Sequence, residues 1–305
     1  MSVKSLIVIT GPTGVGKTEL CLRVANTFRI PIINADSRQI YREIPIGTAA
    51  PTAEEQAQAK HYFVGTLSVS DYYSASNYEQ DVLRLLDRLF AYSDVALLSG
   101  GSMMYIDAVC KGIDDIPTIR DDIRRTMKER LATEGLPALV DELRRLDPEH
   151  WAIVDRNNPR RVVHALEICH QTGHTYTSFR SNKAKPRPFR IIKIGLTRPR
   201  EELYRRINDR VVRMVDNGLV DEALSVLPFR GANALNTVGY KEMFEYLDGL
   251  TTLDETILHI QSNTRRYARK QLTWYKRDSD MKWFSPENIE EILNYITASV
   301  QIPTK

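Results

Sequence analysis

The chain is poor in cysteine, with three in 305 residues, Cys21, Cys110 and Cys169. They lie far apart and form no C-x-x-C pair, which argues against a disulfide framework or a zinc site and fits a reducing compartment. No apolar run approaches the roughly 20 residues that a membrane-spanning helix needs, so no membrane partner is expected. The apolar stretch Leu6-Ile7-Val8-Ile9 begins almost at the amino terminus. That leaves no room for a signal peptide and makes the cytoplasm the expected location. His61, His150, His170, His174 and His259 show no metal-ligand spacing, and His164 reads as a surface residue. Overall charge says little, because the formal net value is only +3. The distribution says more. Residues 180–213 carry twelve Lys/Arg against Glu201, Glu202 and Asp209, and residues 261–277 carry six basic residues and no acidic one. Local excess of that size points to a polyanionic partner.

What is present begins with Gly11-Pro12-Thr13-Gly14-Val15-Gly16-Lys17-Thr18. It follows the apolar run 6–9, a buried strand, and precedes residues 19–25, whose apolar spacing is helical. Strand, G-x-x-x-x-G-K-[ST] and helix together make the full P-loop context. Backbone N–H groups of Thr13, Gly14, Val15 and Gly16 and the helix N-terminus can cradle a diphosphate. Lys17 adds a full charge, and the Thr18 hydroxyl can bind Mg²⁺. By itself this motif admits any nucleotide, ATP included.

Residues 30–34 read as a second strand, with Asp36 just past its end, where an open parallel sheet places its ligand crevice. Residues 46–52 read as a loop and Thr52 as a helix start. Residues 74–92 are amphipathic, with Val82, Leu85, Leu86 and Leu89 on one face. Residues 95–99 form a third strand, broken by Gly100-Gly101-Ser102 before a helix over 103–109. A strand that holds Mg²⁺ for phosphoryl transfer should end in an acid. This one ends in Ser99-Gly100, which weakens an ATPase reading, although Asp36 could stand in.

From 116 to 188 no strand signal appears. Helices are expected over 120–132, 136–146 and 159–171, the last with Pro159 in its first turn and Gly173 beyond its end. Residues 181–188 read as a basic loop. Residues 191–196 return to strand, and 201–216 to a helix with Leu203, Ile207, Val211 and Met214 as its apolar stripe. Arg206, Arg210 and Arg213 share another face. A loop over 236–241 leads into a helix, and the last long helix is expected over 256–277.

Taken together, several segments resemble the tRNA dimethylallyltransferases, also called tRNA isopentenyltransferases. They are residues 11–18, Asp36-Ser37-Arg38-Gln39-Ile40-Tyr41, Ile46-Gly47-Thr48-Ala49, Gly100-Gly101-Ser102-Met103-Met104-Tyr105, Asn158-Pro159-Arg160-Arg161-Val162, Val238-Gly239-Tyr240 and Arg269-Lys270-Gln271-Leu272-Thr273-Trp274. They cover nearly the whole chain in the family's order. The resemblance implies a nucleotide-kinase-like parallel α/β core over 1–115 and 189–305, with an all-helical insertion over 116–188 that contacts tRNA. It implies transfer of a dimethylallyl group from dimethylallyl diphosphate to N6 of the adenosine 3′ of the anticodon, with Mg²⁺, by a monomer.

Onto this sequence it carries Asp36 as general base and Ser102 as donor to the leaving oxygen. Residues 13–18 and Arg210 would hold the diphosphate. The tRNA anticodon stem-loop would meet Asp36, Ser37, Arg38, Gln39, Ser102, Arg124, Arg160, Arg161, Val162, Val163, His164, Gly239, Tyr240, Lys270, Gln271, Thr273 and Trp274. Trp274 and Tyr275 could stack on bases. Two positions depart from the family pattern: Ser102 stands where Thr is common, keeping the hydroxyl, and Ala50 stands where Lys is common. Three rival readings are a small-molecule P-loop kinase, a transferase using free AMP as acceptor, and a phosphate-sensing RNA-binding module without turnover.

Overall fold

A computed structural model describes residues 3–181 and 183–301. Its elements in chain order are β1 (Ser5–Thr10), α1 (Lys17–Phe28), β2 (Ile32–Asn34), α2 (Pro45–Thr48), α3 (Ala53–Gln58), β3 (His61–Tyr62), α4 (Ala75–Leu89), β4 (Val95–Gly100) and α5 (Met103–Lys111). Then come α6 (Asp121–Leu146), α7 (Pro148–Ile153), α8 (Pro159–Thr172), β5 (Arg190–Leu196), α9 (Arg200–Asp216), α10 (Leu219–Ser225), α11 (Tyr240–Leu247), α12 (Leu253–Tyr275), β6 (Lys282–Phe284) and α13 (Ile289–Gln301). They divide into two compact units, Met1–Lys111 with Pro186–Lys305, and Gly112–Lys185. No helix among the described residues is long and apolar enough to cross a membrane.

The first unit is built on one six-stranded parallel sheet, ordered β3-β2-β4-β1-β5-β6. Every residue of β1 and β4 is buried, as expected of central strands covered on both faces. Successive side chains alternate between faces. Ile7 and Ile9 meet Leu20 and Val24 of α1, Leu203 and Ile207 of α9, and Ile292 of α13. Leu6 and Val8 meet α4 and α5 through Val82, Leu86 and Ile106. A separate apolar cluster, including Ile40, Val211, Leu219, Tyr240, Met243 and Ile260, joins the segment after β2 to α9–α12. The second unit is all-helical, with its own core of Met127, Leu139, Leu143, Val162, Ala165 and Leu166.

Several expectations change. The stretch expected as loop over 46–52 contains the helical turn α2, with Pro45 at its first position. α12 is not the last helix, because β6 and α13 follow it. The short elements β3, α7 and α10 carry too few residues for a periodic signal. The helices expected over 120–132 and 136–146 do occur, as the two arms of α6. They meet at Gly135, whose φ of +79° breaks the run two residues before Pro137. Asn182, within the expected basic loop, lies outside the described residues.

Candidate active site

The loops leaving the carboxyl ends of β1, β2 and β4 converge on one cleft of about 750 Å³, the position that parallel sheets give to ligands. Their approach depends on glycine. A Cβ on Gly100 would lie 2.2 Å from the Ala35 backbone, and one on Gly101 would lie 2.6 Å from Gln271 Nε2.

In the 11–18 loop, Lys17 Nζ donates to Gly11 O and Pro12 O, each at 3.0 Å. Arg210 Nη2 donates to Thr13 Oγ1 at 2.5 Å. Arg210 Nε is buried with no partner among the described residues. Burial pushes Lys17 down to about 8 and Arg210 down to about 10, and the nearby Asp36 carboxylate offsets only part of that effect. Two half-buried cations held by neutral groups, with one buried donor unspent, form a ready site for an anion. Arg206 and Arg213 line the same cleft, as do Gly14, Gly16 and the exposed Thr18. The Val15 side chain is fully buried, so only its backbone can serve a ligand.

Asp36 also lines the cleft. Its Oδ1 accepts the Arg38 N–H at 2.9 Å, a local turn that fixes the carboxylate. Gln271, 1 % exposed, spans two loops. Its Oε1 accepts the Thr13 N–H at 2.9 Å, and its Nε2 donates to Gly101 O at 2.8 Å. One turn earlier on α12, Tyr267 lines the cleft with its hydroxyl 3.5 Å from Gly101 O.

Ser102 is 6 % exposed and is not among the cleft-lining residues. Its Oγ accepts the Ser37 N–H at 2.7 Å and donates to Ser37 Oγ at 2.9 Å, while its own N–H donates to Ala35 O at 3.1 Å. It therefore ties the β4 loop to the turn that carries Asp36. Donation to a leaving oxygen requires Ser102 to release Ser37.

Other expected RNA contacts occupy different places. Tyr240 is fully buried, so its side chain cannot meet RNA. Its hydroxyl donates to Glu222 Oε1 at 2.5 Å. The Glu222 carboxylate also accepts the N–H groups of Ile46 and Gly47, both at 2.7 Å, and so caps α2. Gly47 must be glycine here, since a Cβ would lie 2.5 Å from the Tyr240 hydroxyl. The other end of α2 is held by Gln39 Nε2, which donates to Thr48 O at 3.1 Å and Ala49 O at 2.8 Å. The segments 46–49 and 238–240 thus meet each other. Ala50 lines the cleft beside them.

Gly239 caps α11 with φ +101°. Arg38 Nη1 donates to Asn233 O at 3.0 Å. Lys270 and Thr273 are exposed on α12. Trp274 lies outside the cleft lining; its Nε1 donates to Asp107 Oδ2 at 2.8 Å, and Arg277 covers its ring. Tyr275 is a core residue, not a stacking platform.

In the helical unit, Arg160 and Arg161 are exposed on the first turn of α8, whereas Val162 is buried in that unit's core and offers no side chain to RNA. Val163 and His164 are half-buried. His164 Nδ1 lies 3.4 Å from Glu167, and Arg124 lies 3.8 Å from Asp121.

Sequence reading missed Tyr267 and Glu222. Tyr267 stands four residues before Gln271, on the same helix face, which was a usable signal. Glu222 gave none.

Strand order, loop chemistry and the unspent cationic donor define a parallel α/β protein with an anion site beside a carboxylate. The family model for IPP transferase matches residues 39–278. The chain is 61% identical to tRNA dimethylallyltransferase 1 of Phocaeicola vulgatus over 292 residues, 96% of this chain and 97% of the relative. It is 58% identical to the protein of the same name from Bacteroides fragilis, over 99% of this chain and 100% of the relative. Among solved structures it resembles the full-length tRNA isopentenylpyrophosphate transferase of Bacillus halodurans, with a TM-score of 0.71 and 35% identity over 98% of this chain and 97% of that one. A eukaryotic dimethylallyltransferase acting on tRNA shares the fold, with a TM-score of 0.82 at 22% identity over 99% of this chain and 81% of that one. The chain belongs to the IPP transferase family, among the tRNA dimethylallyltransferases.

Proposed function

We propose that the protein transfers a dimethylallyl group from dimethylallyl diphosphate to N6 of the adenosine 3′ of the anticodon in tRNA. The observation that carries the reading is the pair of half-buried cations, Lys17 and Arg210, with the unspent Nε donor of Arg210, in one cleft with Asp36. As the N6–carbon bond forms, the carbon–oxygen bond breaks and its electron pair leaves on diphosphate. Lys17, Arg210 and the amides of the 11–18 loop stabilise that growing charge. Asp36 takes the N6 proton as general base. Ser102 and Ser37 hold the Asp36 turn against the β4 loop.

The donor set fits Mg²⁺ of the kind held mainly by phosphate oxygens and water. Thr18 offers a hydroxyl at the cleft, and no group of three or more His, Cys, Asp or Glu side chains forms a competing site among the described residues. When bound, Mg²⁺ neutralises diphosphate charge. The target base must leave its stack to react. The exposed cations Arg160, Arg161 and Lys270 supply the phosphate contacts that position a tRNA.

The test is a transfer assay with labelled dimethylallyl diphosphate, Mg²⁺ and either unmodified tRNA or AMP. Label in tRNA alone is expected. Label in AMP would recast the acceptor as a free nucleotide, and ATP hydrolysis without label in either would overturn the reading.

A further inference from the structure

Lys17 and Arg210 hold Gly11 O, Pro12 O and Thr13 Oγ1 of the 11–18 loop. Two further arginines hold loop carbonyls. Arg198, in the turn between β5 and α9, donates from Nε to Val15 O at 2.7 Å. Arg206, on α9, donates from Nε to Gly14 O at 3.0 Å. Arg198 is only 9 % exposed, and its Nη1 is shared by Glu202 at 2.5 Å and by Glu287. The two carboxylates fix the roll of the guanidinium, so that Nε is left for the carbonyl. Gly16 is needed for its backbone rather than for space. Its φ is +108°, and a Cβ there would stand 3.4 Å from Arg198 Nη2.

A peptide unit is planar and trans, so the Val15 carbonyl and the Gly16 N–H belong to one amide and point in opposite directions. A charged donor on Val15 O turns the Gly16 N–H away from Arg198, and Gly16 lines the cleft. The same contact polarises the amide and strengthens its N–H as a donor. The preceding amide is engaged differently, because the Val15 N–H already donates to Pro12 O at 3.3 Å. Arg206 therefore locks the turn, while Arg198 aims the next amide.

We propose that Arg198 is a positioning residue for the transfer reaction, orienting the Gly16 amide toward the leaving diphosphate. Glu287, carried by the segment between β6 and α13, holds Arg198 in that pose. The inference rests on the 11–18 loop being a diphosphate site. It gives the carboxyl-terminal segment a part in that site that the loop sequence alone does not reveal.

The test is calorimetric titration of inorganic pyrophosphate with Mg²⁺ into the full-length protein, R198K, R198A and E287Q. Affinity for unmodified tRNA and melting temperature are measured in parallel. R198K keeps the charge but loses the guanidinium fork. It is expected to weaken pyrophosphate binding about tenfold, the size of one lost charge-assisted hydrogen bond, with tRNA affinity and melting temperature unchanged. E287Q is expected to weaken it by roughly threefold. Unchanged pyrophosphate affinity in both R198K and R198A would overturn the inference. So would a loss of pyrophosphate and tRNA affinity together with a lower melting temperature, which would make Arg198 a structural residue. A wild-type protein that binds no pyrophosphate would remove the diphosphate reading itself, before any variant is compared.

Discussion

Cations held by the 11–18 loop and cations exposed on the helical unit differ in how they use charge. In the sheet unit, Lys17, Arg198 and Arg210 are half-buried, each bonded to named oxygens of one loop. In the helical unit, Arg160 and Arg161 stand exposed on the first turn of α8. Half-buried, bonded cations suit a small anion of fixed shape, because their geometry is set before the ligand arrives. Solvated ones suit a long polyanion, whose attraction comes from many weak, salt-screened contacts. The expected acceptor and donor call for one of each kind.

Replacing Asp36 by Ala should separate chemistry from binding most sharply. Turnover should fall by ~10²–10⁴-fold, the usual contribution of a general base, while tRNA affinity stays nearly constant in a binding assay. Turnover within a few-fold of wild type would remove Asp36 as the base. K17A comes next, with kcat expected to fall by about 10²–10³ as one donor to the leaving charge is lost. Unchanged kcat and KM would contradict the role given to the loop.

The desolvated site should also respond to pH. Burial holds Lys17 down to about 8, so its charge is lost as pH rises through that value, and pyrophosphate affinity should fall there. Stability moves the other way. The native state holds this proton less tightly than the unfolded chain does, so the burial penalty is full below about 8 and is relieved toward the ordinary value of 10.5. Calorimetric titrations and melting curves across that range should show both trends, and K17M should show neither.

The exposed cations should behave differently again. R160E/R161E is expected to weaken tRNA binding about tenfold and flatten its salt dependence, with pyrophosphate affinity unchanged. Equal salt slopes in variant and wild type would detach these arginines from tRNA. The smallest effect belongs to Tyr240→Phe, which removes one buried hydrogen bond. Stability should drop by about 1 kcal/mol in denaturant melts, with tRNA affinity preserved. A selective loss of tRNA affinity would place Tyr240 in the RNA interface after all.

The features legible in the sequence are those that a local rule governs. Residues 11–18 and the Gly100–Ser102 break follow apolar strands, and a parallel sheet brings strand ends together. Arg206, Arg210 and Arg213 fall on one face by helical spacing alone. What stayed hidden is partnership over distance. Glu222 caps α2 from 176 residues away, so a stretch with no helical period of its own becomes a helical turn. Tyr240 lies within a segment that resembles an RNA-binding motif, yet it closes a packing node with Gly47. Trp274 looked like a stacking surface on a basic helix, but Asp107 engages its indole nitrogen.

Gln271 gives one amide group to two loops, accepting from Thr13 at the anion side and donating to Gly101 beside Asp36. Neither loop can shift without straining the bond that holds the other. A ligand that shifts one loop would thereby load the other, and any such coupling is reciprocal by thermodynamic necessity. Whatever factor the prenyl donor adds to RNA affinity, RNA must add to the affinity for the donor, and shortening Gln271 to Ala should bring that shared factor toward one.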